Sequence, residues 1–220
     1  MTRTRAVSIG TCSLCRGAFD KGAMTRHLKA CLPEHAFSEK GKKTRALHLL
    51  VEGRYASMYW IHLGAPAGAT FDELDAFLRR TWLECCGHMS AFEIDETRYL
   101  DEPADLGDES MDVSLGEVLA PGMTFRYEYD FGSTTELKLK VLSEYESALK
   151  GATVRALARN EPPTIACDNC GKPAVRICAV CTGSGEGRLC ETCATDHECG
   201  EDTLLPLVNS PRAGVCGYAG

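Results

Sequence analysis

Hydrophobic positions between residues 55 and 160 follow two periods in turn. YASMYWIHL (Tyr55–Leu63) alternates closely enough to predict a strand. After the turn APAGAT, Thr70 is a good N-cap, and Glu73 three residues on completes a capping box. The period then becomes helical through FDELDAFLRRTWLECC. Phe71, Leu74, Phe77, Leu78 and Trp82 form one apolar stripe, and Gly87 ends it. AFEID and TRYL predict a short strand pair. From Glu93 to Glu117 the chain has ten acidic residues and one Arg, so DEPADLGDES reads as a solvated loop. SLGEVLAPG predicts a short helix and turn. MTFRYEYDF alternates again, with Phe125, Tyr127, Tyr129 and Phe131 on one face. TELKLKVLSEYE is its antiparallel partner across a GST turn, and ATVRALA is a last strand. These elements predict an α+β domain over residues 51–160, with a central antiparallel or mixed sheet and one main helix.

The two ends are organised by cysteine instead. The chain has 13 cysteines in 220 residues, most of them in C-x-x-C pairs. That spacing lets two thiolates bind one tetrahedral ion, and disulfides do not need it, so the reading is zinc. No signal-peptide core opens the chain and no apolar run approaches a membrane span, so a cytoplasmic protein with no membrane partner is expected.

Residues 1–36 contain Cys12, Cys15, His27 and Cys31 at C-x2-C-x11-H-x3-C. A β-knuckle places the first two ligands. Residues four apart on a helix place the others on one face. Phe19 and Met24 sit where such a small core needs sealing. The pattern resembles the ββα zinc finger with a final Cys in place of the second His, and His35 is a rival to Cys31 as fourth ligand.

Residues 161–220 carry four pairs: Cys167/Cys170, Cys178/Cys181, Cys190/Cys193 and His197/Cys199. The apolar surface here is too small to fold the segment without metal. Two pairings are open. Cross-bracing joins the first pair to the third and the second to the fourth, an arrangement whose spacing resembles RING, MYND and B-box modules. The sequential alternative joins neighbouring pairs. Cross-bracing is the expected one. Cys216, in LLPLVNSPRAGVCGYAG, reads as a free thiol or as a replacement for Cys199 or His197, in a segment expected to pack on the zinc module. About three zinc ions follow from twelve ligands.

Charge divides the chain. Residues 1–54 hold 11 Lys/Arg against 4 Asp/Glu, a surplus of about +7, so the rest carries about −14 of the net −7. A polyanion would therefore meet the N-terminus. Lys21, Arg26 and Lys29 on the finger helix, with Lys40, Lys42, Lys43 and Arg45 in a basic linker over 37–50, are the expected phosphate contacts. Nucleic acid is expected on residues 1–50, and a protein partner on the body and tail.

Trp82, His88 and Phe92, followed by YEYDFG (Tyr127–Gly132), resemble the plasmid pRiA4b open-reading-frame-three-like family over roughly residues 55–145. The resemblance implies a compact α+β domain with a mixed or antiparallel sheet, in a family of plasmid and mobile-element settings with no agreed activity. Family members usually follow DFG with an acidic or polar residue and Trp-x-His, where this chain has Ser133-Thr134-Thr135-Glu136.

DFG also evokes protein kinases, but the glycine-rich loop, the Val-Ala-Ile-Lys strand and the His-Arg-Asp loop are missing. Asp130 reads as a turn-capping carboxylate. His62 and His88 read as lone histidines, and Cys85-Cys86 as helix-packing residues. No catalytic residue is assigned, because no Ser-His-Asp order, HExxH or P-loop appears. The expectation is a non-enzymatic zinc protein, a nucleic-acid-associated regulator or scaffold. The alternatives are a protein adaptor, or an enzyme with its site between the α+β domain and the zinc tail.

Overall fold

The computed structural model describes residues 8–36, 43–103, 105–147 and 153–220. Its centre is a ten-stranded sheet in the order β2-β1-β10-β4-β3-β9-β8-β5-β6-β7. These strands are β1 Ile9–Cys12, β2 Ala18–Asp20, β3 Thr44–Gly53, β4 Trp60–Pro66, β5 Ser90–Ile94, β6 Thr97–Leu100, β7 Asp108–Ser110, β8 Thr124–Tyr129, β9 Thr135–Ser147 and β10 Arg155–Asn160. All pairings are antiparallel except β6 with β7, so the sheet is mixed. The longer helices are α1 Lys21–Ala36 and α2 Phe71–Leu78, followed by the short α3 Leu115–Val118.

The expected elements are present where local signals are strong. Thr70 Oγ1 accepts from Glu73 N at 3.2 Å and Thr70 N donates to Glu73 Oε2 at 3.0 Å, so the capping box is formed. Phe71, Leu74 and Leu78 are buried with Trp82, against Phe92, Tyr127 and Leu139 of the sheet. The helical stripe continues past α2 as a π-helical turn, Arg79–Leu83. Its wider winding carries the chain into Glu84-Cys85-Cys86.

Several boundaries differ from the sequence expectation. Residues 44–50, assigned to a basic linker, belong to β3, which pairs with β4 and β9 near the middle of the sheet. Ala46, Leu47, Leu49, Leu50 and Val51 are buried there, and their apolar character outweighs the neighbouring charges. Lys40 and Lys42 lie outside the described residues. Asp108–Ser110 of the acidic loop pairs with β6 as an edge strand. Phe131 is exposed, because Asp130 adopts φ 64 and ends the alternation of β8. His62 is not alone: its Nδ1 lies 2.9 Å from His48 Nε2, and both rings are fully buried. Burial lowers the two imidazoles to about 4 for His48 and about 3 for His62.

The N-terminal segment is not a free module. β1 pairs with β10, and α1 lays Met24, Leu28 and Leu32 on Leu50, Trp60, Leu157 and Ala158. Gly10 permits this approach, since a Cβ there would lie 2.3 Å from the Arg159 carbonyl oxygen and 2.4 Å from the Trp60 ring. The C-terminal segment forms its own three-stranded sheet, β12-β11-β13, from β11 Arg176–Cys178, β12 Arg188–Leu189 and β13 Leu204–Pro206. A short helix, α4 Glu191–Thr195, follows β12.

Candidate metal centres

Among the described residues, four groups of Cys and His bring their side-chain N and S atoms within 4.8 Å of one another. Three of them are assembled from the twelve residues singled out by spacing.

In the first, β1 supplies Cys12, the turn after it supplies Cys15, and α1 supplies His27 and Cys31. Cys12 Sγ lies 4.0 Å from Cys31 Sγ, and Cys15 Sγ lies 3.2 Å from His27 Nε2. The knuckle closes through Arg16 N donating to the Cys12 carbonyl, with Arg16 at φ 66. Phe19 stacks on His27 at 4.3 Å between ring centroids and fixes the imidazole. His35 Nδ1 approaches Cys31 Sγ at 3.5 Å, but His35 is outside the four-residue group.

The C-terminal ligands assemble as Cys167, Cys170, Cys190 and Cys193, and as Cys178, Cys181, His197 and Cys199. The first pair thus meets the third and the second meets the fourth, which is the cross-braced arrangement. Cys170 Sγ lies 3.5 Å from Cys190 Sγ. Cys181 Sγ lies 3.5 Å from His197 Nε2 and 3.6 Å from Cys199 Sγ.

Crowding sets the thiol electrostatics. Burial raises the Cys167 thiol, but backbone N–H donors from Cys190, Cys170 and Asn169 outweigh it and hold it at about 6. Burial likewise raises Cys178, but the Thr203 hydroxyl and the Cys181 N–H hold it at about 6. Their neighbours move the other way: Cys199 and Cys178 push Cys181 up to about 12, and Cys170 and Cys190 push Cys193 up to about 12. In each group one thiolate makes the next unfavourable, a conflict that a shared cation relieves. Two of these sets offer three thiols and an imidazole, and the other offers four thiols. Both donor combinations suit a tetrahedral ion that prefers nitrogen and sulfur ligands.

The fourth group was not legible from spacing. Cys85 and Cys86, read as packing residues, and His88, read as a lone histidine, meet Cys216 of the C-terminal segment. Cys216 therefore replaces neither Cys199 nor His197. The C-terminal segment also docks on the sheet as well as on the zinc-type module. Fully buried Arg212 donates from Nη2 to Asp130 Oδ2 at 2.7 Å and from Nη1 to Thr135 Oγ1 at 3.0 Å. Ser210 Oγ donates to the Trp82 carbonyl at 2.7 Å. Asp130 does cap its turn, accepting at Oδ1 from Gly132 N and Ser133 N. Burial would raise its carboxyl, but Arg212 and those two N–H groups hold it at about 2.

A cavity of about 320 Å³ opens beside His88, lined by Asp75, Arg79, Ser90 and Asp101 among others. One side of its polar wall is a closed hydrogen-bond network centred on Asp75. Asp75 Oδ1 accepts from Ser90 Oγ and Tyr127 OH at 2.6 and 2.7 Å, and Oδ2 accepts from Arg79 Nε at 2.6 Å. Such a network rigidifies the sheet-to-helix junction that carries Glu84–His88.

The expected phosphate contacts divide unevenly. Lys21 is paired with Glu52, Lys43 with Glu146 at 3.3 Å, and Arg45 with Glu144 at 3.6 Å and the Gly116 carbonyl at 2.6 Å. Arg26 and Lys29 are exposed on α1. Among the described residues no helix is long and apolar enough to cross a membrane.

No family model matches the chain. No curated protein matches it either. Among solved structures, a protein of unknown function, MM3350 from Methanosarcina mazei Go1, is similar at 16% identity with a TM-score of 0.41, covering 60% of this chain and 76% of that one.

Proposed function

We propose that this chain is a non-enzymatic zinc protein, in which zinc holds the N-terminal finger and the cross-braced C-terminal module. Together they make a scaffold that associates with nucleic acid. The observation that carries the zinc reading is the completeness of the three sets. Each gathers four protein ligands within 4.8 Å, which leaves no position for substrate, as a catalytic zinc site would require. Cys12, Cys15, His27 and Cys31 would hold one ion; Cys167, Cys170, Cys190 and Cys193 a second; Cys178, Cys181, His197 and Cys199 a third. The metal supplies structure there, drawing each thiol into its thiolate form and tying the knuckles together.

The nucleic-acid reading rests on the charge surplus of residues 1–54 and on the exposure of Arg26 and Lys29. The pRiA4b-like resemblance of the central domain fits a mobile-element setting. One observation favours a second reading, a protein adaptor: Lys21, Lys43 and Arg45 are already paired with carboxylates of the sheet.

Two measurements test the proposal. Freshly purified, reduced protein should carry three or more zinc ions per chain, one for each set of four ligands. Metal-free, folded protein refutes the scaffold. Retention on duplex DNA should fall steeply with salt and be lost in Arg26→Glu/Lys29→Glu. Absence of retention at low salt, with a protein co-purifying instead, selects the adaptor.

A further inference from the structure

We propose that Cys85, Cys86, His88 and Cys216 bind a zinc ion of their own, a fourth site that clasps the C-terminal segment to the central sheet. The site goes beyond the three just described, because it uses none of their ligands.

The geometry fits a tetrahedral ion. Cys85 Sγ lies 3.6 Å from Cys86 Sγ, and Cys86 Sγ lies 3.8 Å from Cys216 Sγ. His88 Nε2 lies 3.4 Å from Cys216 Sγ and 3.0 Å from Cys86 Sγ. With Zn–S near ~2.3 Å and Zn–N near ~2.0 Å, a tetrahedron has S–S edges of about 3.8 Å and S–N edges of about 3.5 Å. Three of the four separations lie within a few tenths of an ångström of those edges. The separations also match those inside the C-terminal sets, 3.5 and 3.6 Å.

The local backbone is shaped for convergence. Gly87 at φ 76 turns the chain between Cys86 and His88, so that side chains two residues apart point to one place. Cys216 itself adopts φ 51, in the left-handed region that a side chain disfavours. Cys216 stands in an exposed segment with its sulfur beside two thiols and an imidazole. All thirteen cysteines are free, so no disulfide joins Cys216 to Cys86.

The surroundings suit thiolates. The buried Arg212 guanidinium places Nη2 3.5 Å from Cys85 Sγ, and Tyr129 OH lies 3.9 Å from the same sulfur. Asp130 Oδ2 is 3.5 Å from His88 Nε2 and is itself held by Arg212. Arg212 thus links the Cys85 sulfur to Asp130 of the sheet, whereas Asp130 lies against the same His88 nitrogen that faces the sulfurs and gives that ring no outer support. Three Cys and one His favour zinc over harder cations, and four protein ligands make the site structural.

The test counts zinc in reduced full-length protein and in two variants. Cys216→Ser and His88→Ala should each lose about one ion of about four, by the rule of one ion per four ligands. His88→Ala keeps every thiol, so its loss cannot be ascribed to a removed sulfur. In the wild type, Cys86 and Cys216 should resist iodoacetamide despite their exposure, and in His88→Ala both should be alkylated. A wild type with three ions, unchanged in both variants, overturns the clasp and leaves the three-site reading intact. A Cys86–Cys216 disulfide persisting in freshly reduced protein also overturns it. Should Cys216→Ser not fold, His88→Ala and the alkylation pattern decide alone.

Discussion

The N-terminal and C-terminal Cys/His groups are built from the same residue types but rest on different foundations. The finger's helix buries Met24, Leu28 and Leu32 against Trp60, Leu50 and Leu157, and its first strand is hydrogen-bonded into the ten-stranded sheet. The C-terminal module has a core of Cys167, Leu189, Cys190 and Ala194, half of it cysteine. Ligand spacing alone therefore does not say how far a fold depends on metal. What matters is the apolar surface buried beside the ligands: ample for the finger, scant for the tail.

Chelation gives the largest expected contrast. Stripping metal from the intact chain should abolish hydrogen-exchange protection across β11–β13 while β1 and α1 keep theirs. Equal loss at both ends would erase the distinction. Next comes Arg212→Ala, which removes one partner of a buried ion pair and should destabilise the protein by about 3–5 kcal/mol in denaturant melts. A negligible change would mean that Arg212 does not anchor the tail. Leu28→Ala should cost about 2–4 kcal/mol, because it opens a cavity between the finger and the sheet. If it instead left global stability unaltered, the finger would be energetically separate.

The smallest effect is in pH. Burial depresses His48 to about 4 and His62 to about 3, so below their ordinary value of 6.5 the unfolded chain takes up protons that the folded one refuses. Their contribution is present above pH 6.5 and is lost as pH falls through that value towards 4. For the pair, the first pH unit of that fall removes on the order of 2 kcal/mol. Comparing melts of wild type and His48→Gln/His62→Gln across that range isolates the pair from acid release of metal, and parallel curves would refute its role.

Much of the central domain was legible because its signals are local. Thr70 and Glu73 make a capping box three residues apart, and Leu137, Leu139 and Val141 alternate within one strand. The misreadings came where local signals conflicted. Arg45 and the preceding lysines hid β3, whose apolar run is ALHLLV, and Asp130 at φ 64 turned Phe131 out of a face to which strict alternation assigned it. His62 reads as a lone histidine in the sequence because only the pairing of β3 with β4 brings its Nδ1 to 2.9 Å from His48 Nε2, fourteen residues before it.

By itself the sequence singled out twelve Cys and His as candidate ligands, since two residues between cysteines and three between a helical His and Cys bring side chains together through the short chain that joins them. It left the C-terminal pairing open between two arrangements. Tertiary structure decided that pairing, docked β1 and α1 on the sheet, and brought Cys216 to Cys85, Cys86 and His88. The physical reason is distance along the chain. Cys86 and Cys216 are 130 residues apart, and no local spacing encodes a meeting that depends on the fold of everything between them.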